Sequence, residues 1–168
     1  MRIWRYFAAA LLLFAVLLTA CAGSGTSVNP RVGKAAADFS AISINGTLVN
    51  LSDYKGKPVF VNFWAIRCPP CRDEMPYIQQ IYDEYSAKGL VVLGVNNEES
   101  LGNVKPFVES GGFNYPIMLD QDDTVANKYG VYYLPASFFI DKNGVIRAAT
   151  ISPFTSKGDI EKYLKEIM

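Results

Sequence analysis

Two cysteines, Cys68 and Cys71, form a Cys-x-x-Cys pair in this chain of 168 residues. Thiols at this spacing can alternate between a dithiol and a disulfide, which is the chemistry of thiol–disulfide exchange. A purely structural bridge would be weak, because the stabilisation from a disulfide grows with the loop that it closes. A zinc site would need a second cysteine pair or histidines, and the sequence contains no histidine. The pair therefore predicts redox catalysis through a Cys68–Cys71 disulfide, with no metal and no other cofactor.

The pair lies where a predicted strand is followed by a predicted helix. Residues 59–65 form an almost continuous apolar run, typical of a strand buried on both faces, and a helical pattern follows over residues 70–87. A helix N-terminus carries unpaired N–H groups and about half a positive charge, and both stabilise a thiolate. Cys68, at the open end, is therefore predicted to be the attacking thiol with a lowered pKa. Cys71, one turn inside, is predicted to resolve the mixed disulfide.

The rest of the chain alternates short apolar strands with helical segments, and Asn45-Gly46 is a hairpin signal near its start. Strands are predicted at 39–44, 48–51, 90–95, 115–119, 137–140 and 145–151, and helices at 98–110, 122–129 and 156–168. This order predicts a single α/β domain at residues 37–168, with a central mixed sheet flanked by helices and an N-terminal β-hairpin.

The N-terminal residues have the features of an export signal. Arg2 and Arg5 precede an uncharged, mostly apolar run at residues 7–20, and Leu18-Thr19-Ala20-Cys21 resembles a bacterial lipobox. We predict a signal peptide at 1–20, lipid attachment at Cys21 and a flexible tether at 21–36. The alternative is a cleaved signal or an uncleaved anchor in which Cys21 has no role. Either way the domain is predicted to be extracytoplasmic, and a lipid would anchor it to the outer face of a bacterial cell membrane or in the periplasm.

Several short motifs are distributed along residues 39–168: Leu51-Ser52-Asp53-Tyr54-Lys55-Gly56-Lys57-Pro58, Asn62-Phe63-Trp64-Ala65, Cys68-Pro69-Pro70-Cys71, Glu74 with Pro76, Tyr115-Pro116, Leu134-Pro135, Phe138-Phe139-Ile140-Asp141 and Asn143-Gly144. Together they resemble the TlpA/ResA-like branch of the thioredoxin superfamily. The resemblance implies a thioredoxin-like fold with an inserted helix and short strand between residues 98 and 119. It also implies a reductase of disulfides in exported proteins, for example apocytochrome c, which a membrane thiol-relay protein would reduce again.

The same resemblance assigns residues to substrate contact. Pro135 matches the cis-proline that packs against the dithiol and presents backbone to the substrate, with Leu134 before it. Pro69, between the cysteines, stiffens the loop. Ala136 stands where relatives often have threonine, so one hydroxyl on the substrate side is absent.

Glu74 follows Cys71 by three residues and therefore lies on the same face of the predicted helix. The resemblance places an acidic residue here near the active site. Asn62 occupies the place of a buried aspartate in thioredoxin and cannot titrate, so Glu74 or water is predicted to handle proton transfer to Cys71. The alternative is a carboxylate that only stabilises the helix dipole.

Arg67 stands before the first cysteine, where the family usually has tryptophan. A cation there is predicted to favour the Cys68 thiolate and to remove an aromatic surface from the substrate side. The alternative is an arginine that points into solvent with little effect. Tyr132 and Tyr133 could line the substrate groove, although at least one is expected in the core.

Other classes of function fit less well. Equal numbers of basic and acidic side chains, 16 of each, give no electrostatic footprint for nucleic acid. A peroxiredoxin-like antioxidant enzyme would carry Pro and Thr or Ser where this chain has Val61 and Ala65. A non-catalytic lipoprotein binding module would have no need of an intact cysteine pair.

Overall fold

The computed structural model describes residues 32–168, and these form a seven-stranded sheet with four α-helices. The predicted signal peptide at 1–20, Cys21 and the tether up to residue 31 lie outside the described residues. The strands are β1 (Ser40–Ser43), β2 (Leu48–Asn50), β3 (Val59–Trp64), β4 (Val91–Asn97), β5 (Ile117–Asp120), β6 (Ala136–Ile140) and β7 (Ile146–Thr150). The helices are α1 (Pro69–Tyr85), α2 (Leu101–Gly111), α3 (Thr124–Tyr129) and α4 (Lys157–Leu164), with short 3-10 helices at Leu51–Tyr54 and Ser86–Lys88.

The sheet is mixed, with the strand order β2-β1-β5-β4-β3-β6-β7. β4 runs parallel to both β3 and β5, whereas every other pair of neighbouring strands is antiparallel. All six residues of β3 are buried, as expected of a central strand covered on both faces. The mixed sheet, the N-terminal hairpin β1–β2 and the α2–β5 insertion agree with the prediction.

Helix α1 covers one face of the sheet and is fixed there by apolar packing. Its residues Met75, Ile78 and Ile81 are fully buried in the same cluster as Phe60 and Trp64 of β3. Burial of each such side chain contributes about 1.5–3 kcal/mol. This packing holds the N-terminus of α1 at the end of β3, where the cysteine pair lies.

The described N-terminal segment belongs to the folded domain, which corrects the predicted boundary at residue 37. Ala35 forms an antiparallel bridge with Val145, and the backbone N–H of Gly33 donates to Ile146 O at 2.7 Å. The fold therefore extends back at least to Gly33, because this segment pairs beside β7. Within residues 32–168, no helix combines the length and apolarity needed to span a bilayer.

Three predicted helix boundaries also differ from the structure. Helix α2 begins at Leu101 rather than at residue 98, because Glu98 has a left-handed backbone with φ of 59°. Helix α3 begins at Thr124 after Asp123, which is also left-handed with φ of 56°. Helix α4 ends at Leu164, four residues before the predicted end.

Candidate active site

The cysteine pair lies at the junction of β3 and α1, and it is oxidised. Cys68 and Cys71 form a disulfide with their Cα atoms 5.3 Å apart. Cys68 is the N-cap of α1, in an extended conformation, and the backbone N–H of Cys71 donates to Cys68 Sγ at 3.4 Å. The predicted junction is confirmed, with the helix beginning at Pro69. The first turn of α1 therefore directs a hydrogen-bond donor at the sulfur that would carry negative charge as a thiolate.

The two sulfurs differ in access to solvent. Cys68 is half-buried, whereas Cys71 is fully buried in the apolar cluster under α1. Pro69 and Pro70, between them, are exposed. A partner can therefore reach Cys68 but not Cys71, and the attacking and resolving roles of the two thiols stay a prediction.

Pro135 directly precedes β6, and the bond from Leu134 to Pro135 is cis, as predicted. In the antiparallel pairing of β3 with β6, Phe63 stands opposite Ala136. Continuing that register by one residue places Pro135 opposite Trp64, at the same end of the sheet as Cys68. Pro135 is buried, and Leu134 is half-buried against the same apolar cluster as Cys68.

Glu74 lies on α1 one turn after Cys71, and its side chain is fully buried. Its carboxylate accepts hydrogen bonds from Asn62 Nδ2 at 2.8 Å and from the backbone N–H of Phe154 at 2.9 Å. Burial raises the pKa of Glu74 to about 7, because the loss of solvation outweighs these two hydrogen bonds, which lower it. The group can therefore exchange a proton near neutral pH, which a proton-transfer role requires.

Tyr115 adds a buried hydroxyl to this polar cluster, although the sequence pattern places it only at a strand boundary. The hydroxyl has no hydrogen-bond partner among the described residues. Burial raises the pKa of Tyr115, and the charge of Glu74 raises it further. A signal for this close packing is Gly94, opposite Asn62 on β4, since glycine inside a strand often marks a close approach. A Cβ atom at Gly94 would lie 3.0 Å from the Tyr115 ring.

Arg67 does not point freely into solvent. Its guanidinium donates to the backbone oxygen of Asn97 at 3.2 Å and forms an ion pair with the Glu98 carboxylate. Both charged side chains are about half-exposed, at 50% and 52%. The cation next to Cys68 is therefore compensated by an anion from the loop between β4 and α2.

Glu99, in the same loop, was not predicted as a site residue. Its carboxylate accepts the backbone N–H of Ile66 at 2.8 Å, the backbone N–H of Arg67 at 3.2 Å and Asn96 Nδ2 at 2.7 Å. These bonds hold the segment that leads into Cys68. The sequence offers only a weak signal, an acidic pair directly after a buried strand, because the contacts join residues more than 30 positions apart.

Tyr132 and Tyr133, just before Leu134, are 73% and 67% exposed. The expectation that at least one of them lies in the core is wrong. Val131 and Leu134, on either side, supply the apolar packing of this loop instead.

In residues 32–168 no three His, Cys, Asp or Glu side chains converge as a metal site. The chemistry that this arrangement supports is exchange between thiols and disulfides, with Cys68 open to a partner, Cys71 and Glu74 buried behind it and Pro135 alongside.

Comparison with known proteins also indicates thiol–disulfide exchange as the chemistry of this chain. Residues 32–149 match the model of the AhpC/TSA family. The chain is 43% identical over 136 residues to the thiol-disulfide oxidoreductase ResA of Geobacillus thermodenitrificans, covering 81% of this chain and 78% of the relative. It is 39% identical over 137 residues to ResA of Bacillus anthracis, covering 82% and 79%.

Solved structures confirm the thioredoxin-like fold. A thiol:disulfide interchange protein of the thioredoxin family from Chlorobium tepidum superposes with a TM-score of 0.71 at 30% identity, covering 79% of this chain and 94% of that one. A secreted thiol-disulfide isomerase from Corynebacterium glutamicum gives a TM-score of 0.70 at 28% identity, covering 76% and 81%.

Proposed function

The chain belongs to the AhpC/TSA family and is a ResA-like thiol-disulfide oxidoreductase, and from this premise we propose that it is a membrane-anchored, extracytoplasmic reductase of disulfides in exported proteins, apocytochrome c among them. The observation that carries the proposal is the Cys68–Cys71 disulfide, with a half-buried sulfur at a helix N-terminus and a fully buried one behind it.

The proposed reaction begins with the reduced protein. The Cys68 thiolate attacks one sulfur of the partner disulfide, so that a Cys68–partner bond forms and the other partner sulfur leaves as a thiolate that takes up a proton. Cys71 then loses its proton and attacks the Cys68 sulfur. This step forms the Cys68–Cys71 disulfide and releases the second partner thiol. Two electrons pass to the partner, and a second dithiol, proposed to be a membrane thiol-relay protein, must return them.

Glu74 is the proposed acceptor of the Cys71 proton. Its position one turn along α1 and its pKa of about 7 support this role, because a base near neutral pH can both take up and release a proton. The neighbouring Asn62 orients the carboxylate through Nδ2 but cannot titrate.

The proposed substrate contacts are Pro135, Leu134, Arg67 and Pro69. Arg67 and Pro69 adjoin Cys68 in sequence. Leu134 and Pro135 lie at the same end of the sheet as Cys68, because the β3–β6 register places Pro135 opposite Trp64. An extended partner segment could pair with the backbone before Pro135, as strands add to exposed backbone elsewhere.

Export and anchoring are supported by sequence and by the relatives rather than by the described residues. The apolar run at 7–20 and the lipobox-like Leu18-Thr19-Ala20-Cys21 support a lipid on Cys21. The similarity to a protein described as secreted supports an extracytoplasmic location.

Trapping of partners tests the proposal. In a Cys71→Ala variant expressed with its own N-terminus, the mixed disulfide on Cys68 cannot be resolved, so covalent complexes should accumulate and separate on reduction. A Cys68→Ala/Cys71→Ala variant is the control and should form none. Mass spectrometry of the trapped partners should identify exported proteins that contain cysteine pairs. If the single variant traps no partner, the reductase proposal fails.

A further inference from the structure

Tyr132 and Tyr133 have the largest exposed fractions of all large hydrophobic side chains in residues 32–168. We refer to these two residues as the tyrosine ledge. Within the described part of the chain, neither side chain makes a hydrogen bond or a ring contact, in contrast to the clustered rings of Phe60, Phe139 and Tyr163. The packing of the described residues therefore does not depend on aromatic side chains at positions 132 and 133.

The ledge directly precedes, in sequence, a segment that reaches the end of the sheet where Cys68 lies. Leu134 and the cis-bonded Pro135 follow it directly, and the β3–β6 register places Pro135 opposite Trp64 at the end of the sheet where Cys68 lies. Leu134 and Cys68 also pack against the same apolar cluster. A partner sulfur that reaches Cys68 must approach this end of the sheet, so the ledge borders its path.

The exposed residue directly before Cys68 is charged and therefore differs from the ledge. Arg67 and Glu98 form a half-exposed ion pair next to Cys68. The approach to the dithiol therefore combines a charged surface, carried by Arg67 and Glu98, with an aromatic one, carried by the segment before Pro135. Side chains of tyrosine bury a large apolar face at a small loss of conformational freedom and still offer a hydroxyl at the tip, which explains their frequency in binding surfaces.

We infer that the tyrosine ledge is a docking surface for an apolar or aromatic side chain that flanks the target cysteine in an extended partner segment. This inference rests on the proposed function and names the class of substrate that the site prefers. The partner is a polypeptide rather than a small disulfide, because only a flanking side chain can rest on the ledge while a partner sulfur meets Cys68.

Single-turnover kinetics with the pre-reduced full chain test the inference without an external reductant. Three oxidants are compared: a peptide whose disulfide is flanked by phenylalanine, the same peptide with serine at those positions, and 2-hydroxyethyl disulfide. In a Tyr132→Ser/Tyr133→Ser variant, the second-order rate constant for the phenylalanine peptide should fall about tenfold, equivalent to about 1.4 kcal/mol. The rate constants for the serine peptide and for 2-hydroxyethyl disulfide should change less than about twofold, since neither places an apolar group on the ledge.

Leu48→Ser is the matched control, because Leu48 is 56% exposed but lies on the edge strand β2, far from β3 in the sheet order. It should leave all three rates unchanged. An unchanged rate for the phenylalanine peptide in the double variant overturns the docking surface. So does an equal loss for all three oxidants, which would mean that the tyrosines support the site itself.

Two further outcomes separate the inference from its premise. If the wild type reduces 2-hydroxyethyl disulfide but does not prefer the phenylalanine peptide, the ledge has no docking role and the reductase proposal stands. If the wild type reduces none of the three oxidants, both fail. Loss of association with lipid vesicles in the double variant, with unchanged peptide rates, would assign the tyrosines to a membrane contact and overturn the inference.

Discussion

Replacement of Glu74 by glutamine removes one ionisable group from the buried cluster and keeps its shape. In the wild type the carboxylate accepts from Asn62 Nδ2 and from the Phe154 N–H. Glutamine can still accept from Phe154 through Oε1. Asn62 can turn its amide so that its Oδ1, which has no partner within the described residues, accepts from the glutamine Nε2. The Glu74→Gln variant should therefore fold, and proton binding is the property that changes.

The magnitude follows from the pKa of Glu74, which burial raises from 4.5 to about 7. A difference of about 2.5 pH units, at about 1.36 kcal/mol each, corresponds to about 3 kcal/mol of linked stability. Because the folded protein holds this proton more tightly than the unfolded chain does, the contribution is complete below pH 4.5 and is lost as the pH rises through 7. Between these limits, the free energy of unfolding should fall by about 3 kcal/mol more in the wild type than in Glu74→Gln.

Urea unfolding of the oxidised protein at a series of pH values measures this difference, and the disulfide keeps both cysteines from titrating. Glu84→Gln is the control. Hydrogen bonds from Lys157 and Lys88 lower the pKa of the exposed Glu84, so this carboxylate does not titrate in the folded protein between the two pH limits given above. That variant should reproduce the wild-type slope. If Glu74→Gln also reproduces it, Glu74 is not the group that titrates near pH 7, and the reasoning from burial is refuted.

The same substitution bears on the proposed proton transfer. In the reduced protein, the rate of thiol alkylation should depend on pH through Glu74 as well as through the thiol that reacts. Glu74→Gln should remove the inflection near pH 7. An alkylation profile identical to that of the wild type would leave Glu74 as a structural carboxyl without a part in the exchange.

Two further predictions concern the packing around the site. Gly94→Ala should destabilise the protein by about 1–3 kcal/mol, because the added Cβ would lie 2.5 Å from Ile117 Cδ1. The control is Gly102→Ala on α2, where the atom nearest to the added Cβ is 4.0 Å away, and this change should stabilise the protein by up to about 1 kcal/mol. Thermal unfolding of the two variants and the wild type measures both effects. Glu99→Ala should lower the free energy of unfolding by about 1–3 kcal/mol, since two backbone N–H groups before Cys68 lose their acceptor, and Glu99→Gln, which keeps one acceptor oxygen, should lose less. An unaltered urea midpoint in Glu99→Ala would contradict the anchoring role.

The central strand and the placement of the cysteine pair could be predicted because their signals are local. The apolar run at 59–65 becomes β3 with every residue buried. The prolines after Cys68 occupy the first turn of α1, where a missing N–H matters least. Helix starts were less predictable, since Glu98 and Asp123 adopt left-handed backbone conformations that a helical pattern does not reveal.

The polar contacts of the site could not be predicted, because they join residues that are distant in sequence. Glu74 was identified from its position on a helix face, but its bond to the Phe154 N–H spans 80 residues. Its burial, which raises the pKa to about 7, depends on that packing. The exposure of Tyr132 and Tyr133 was missed for a related reason. Aromatic residues between two buried segments are usually core, and only the fold shows that Val131 and Leu134 fill that space.

The role of Arg67 changes most between sequence and structure. Taken alone, an arginine before Cys68 predicts electrostatic activation of the thiol. In the fold its guanidinium is paired with Glu98 and half-exposed, and such pairs contribute at most about 1 kcal/mol. The N-terminus of α1, through the Cys71 N–H that points at Cys68 Sγ, is the better placed source of thiolate stabilisation. We therefore expect Arg67 to bear on which partner binds rather than on the Cys68 thiolate, and the exposed aromatic side chains of the segment before Pro135 are Tyr132 and Tyr133.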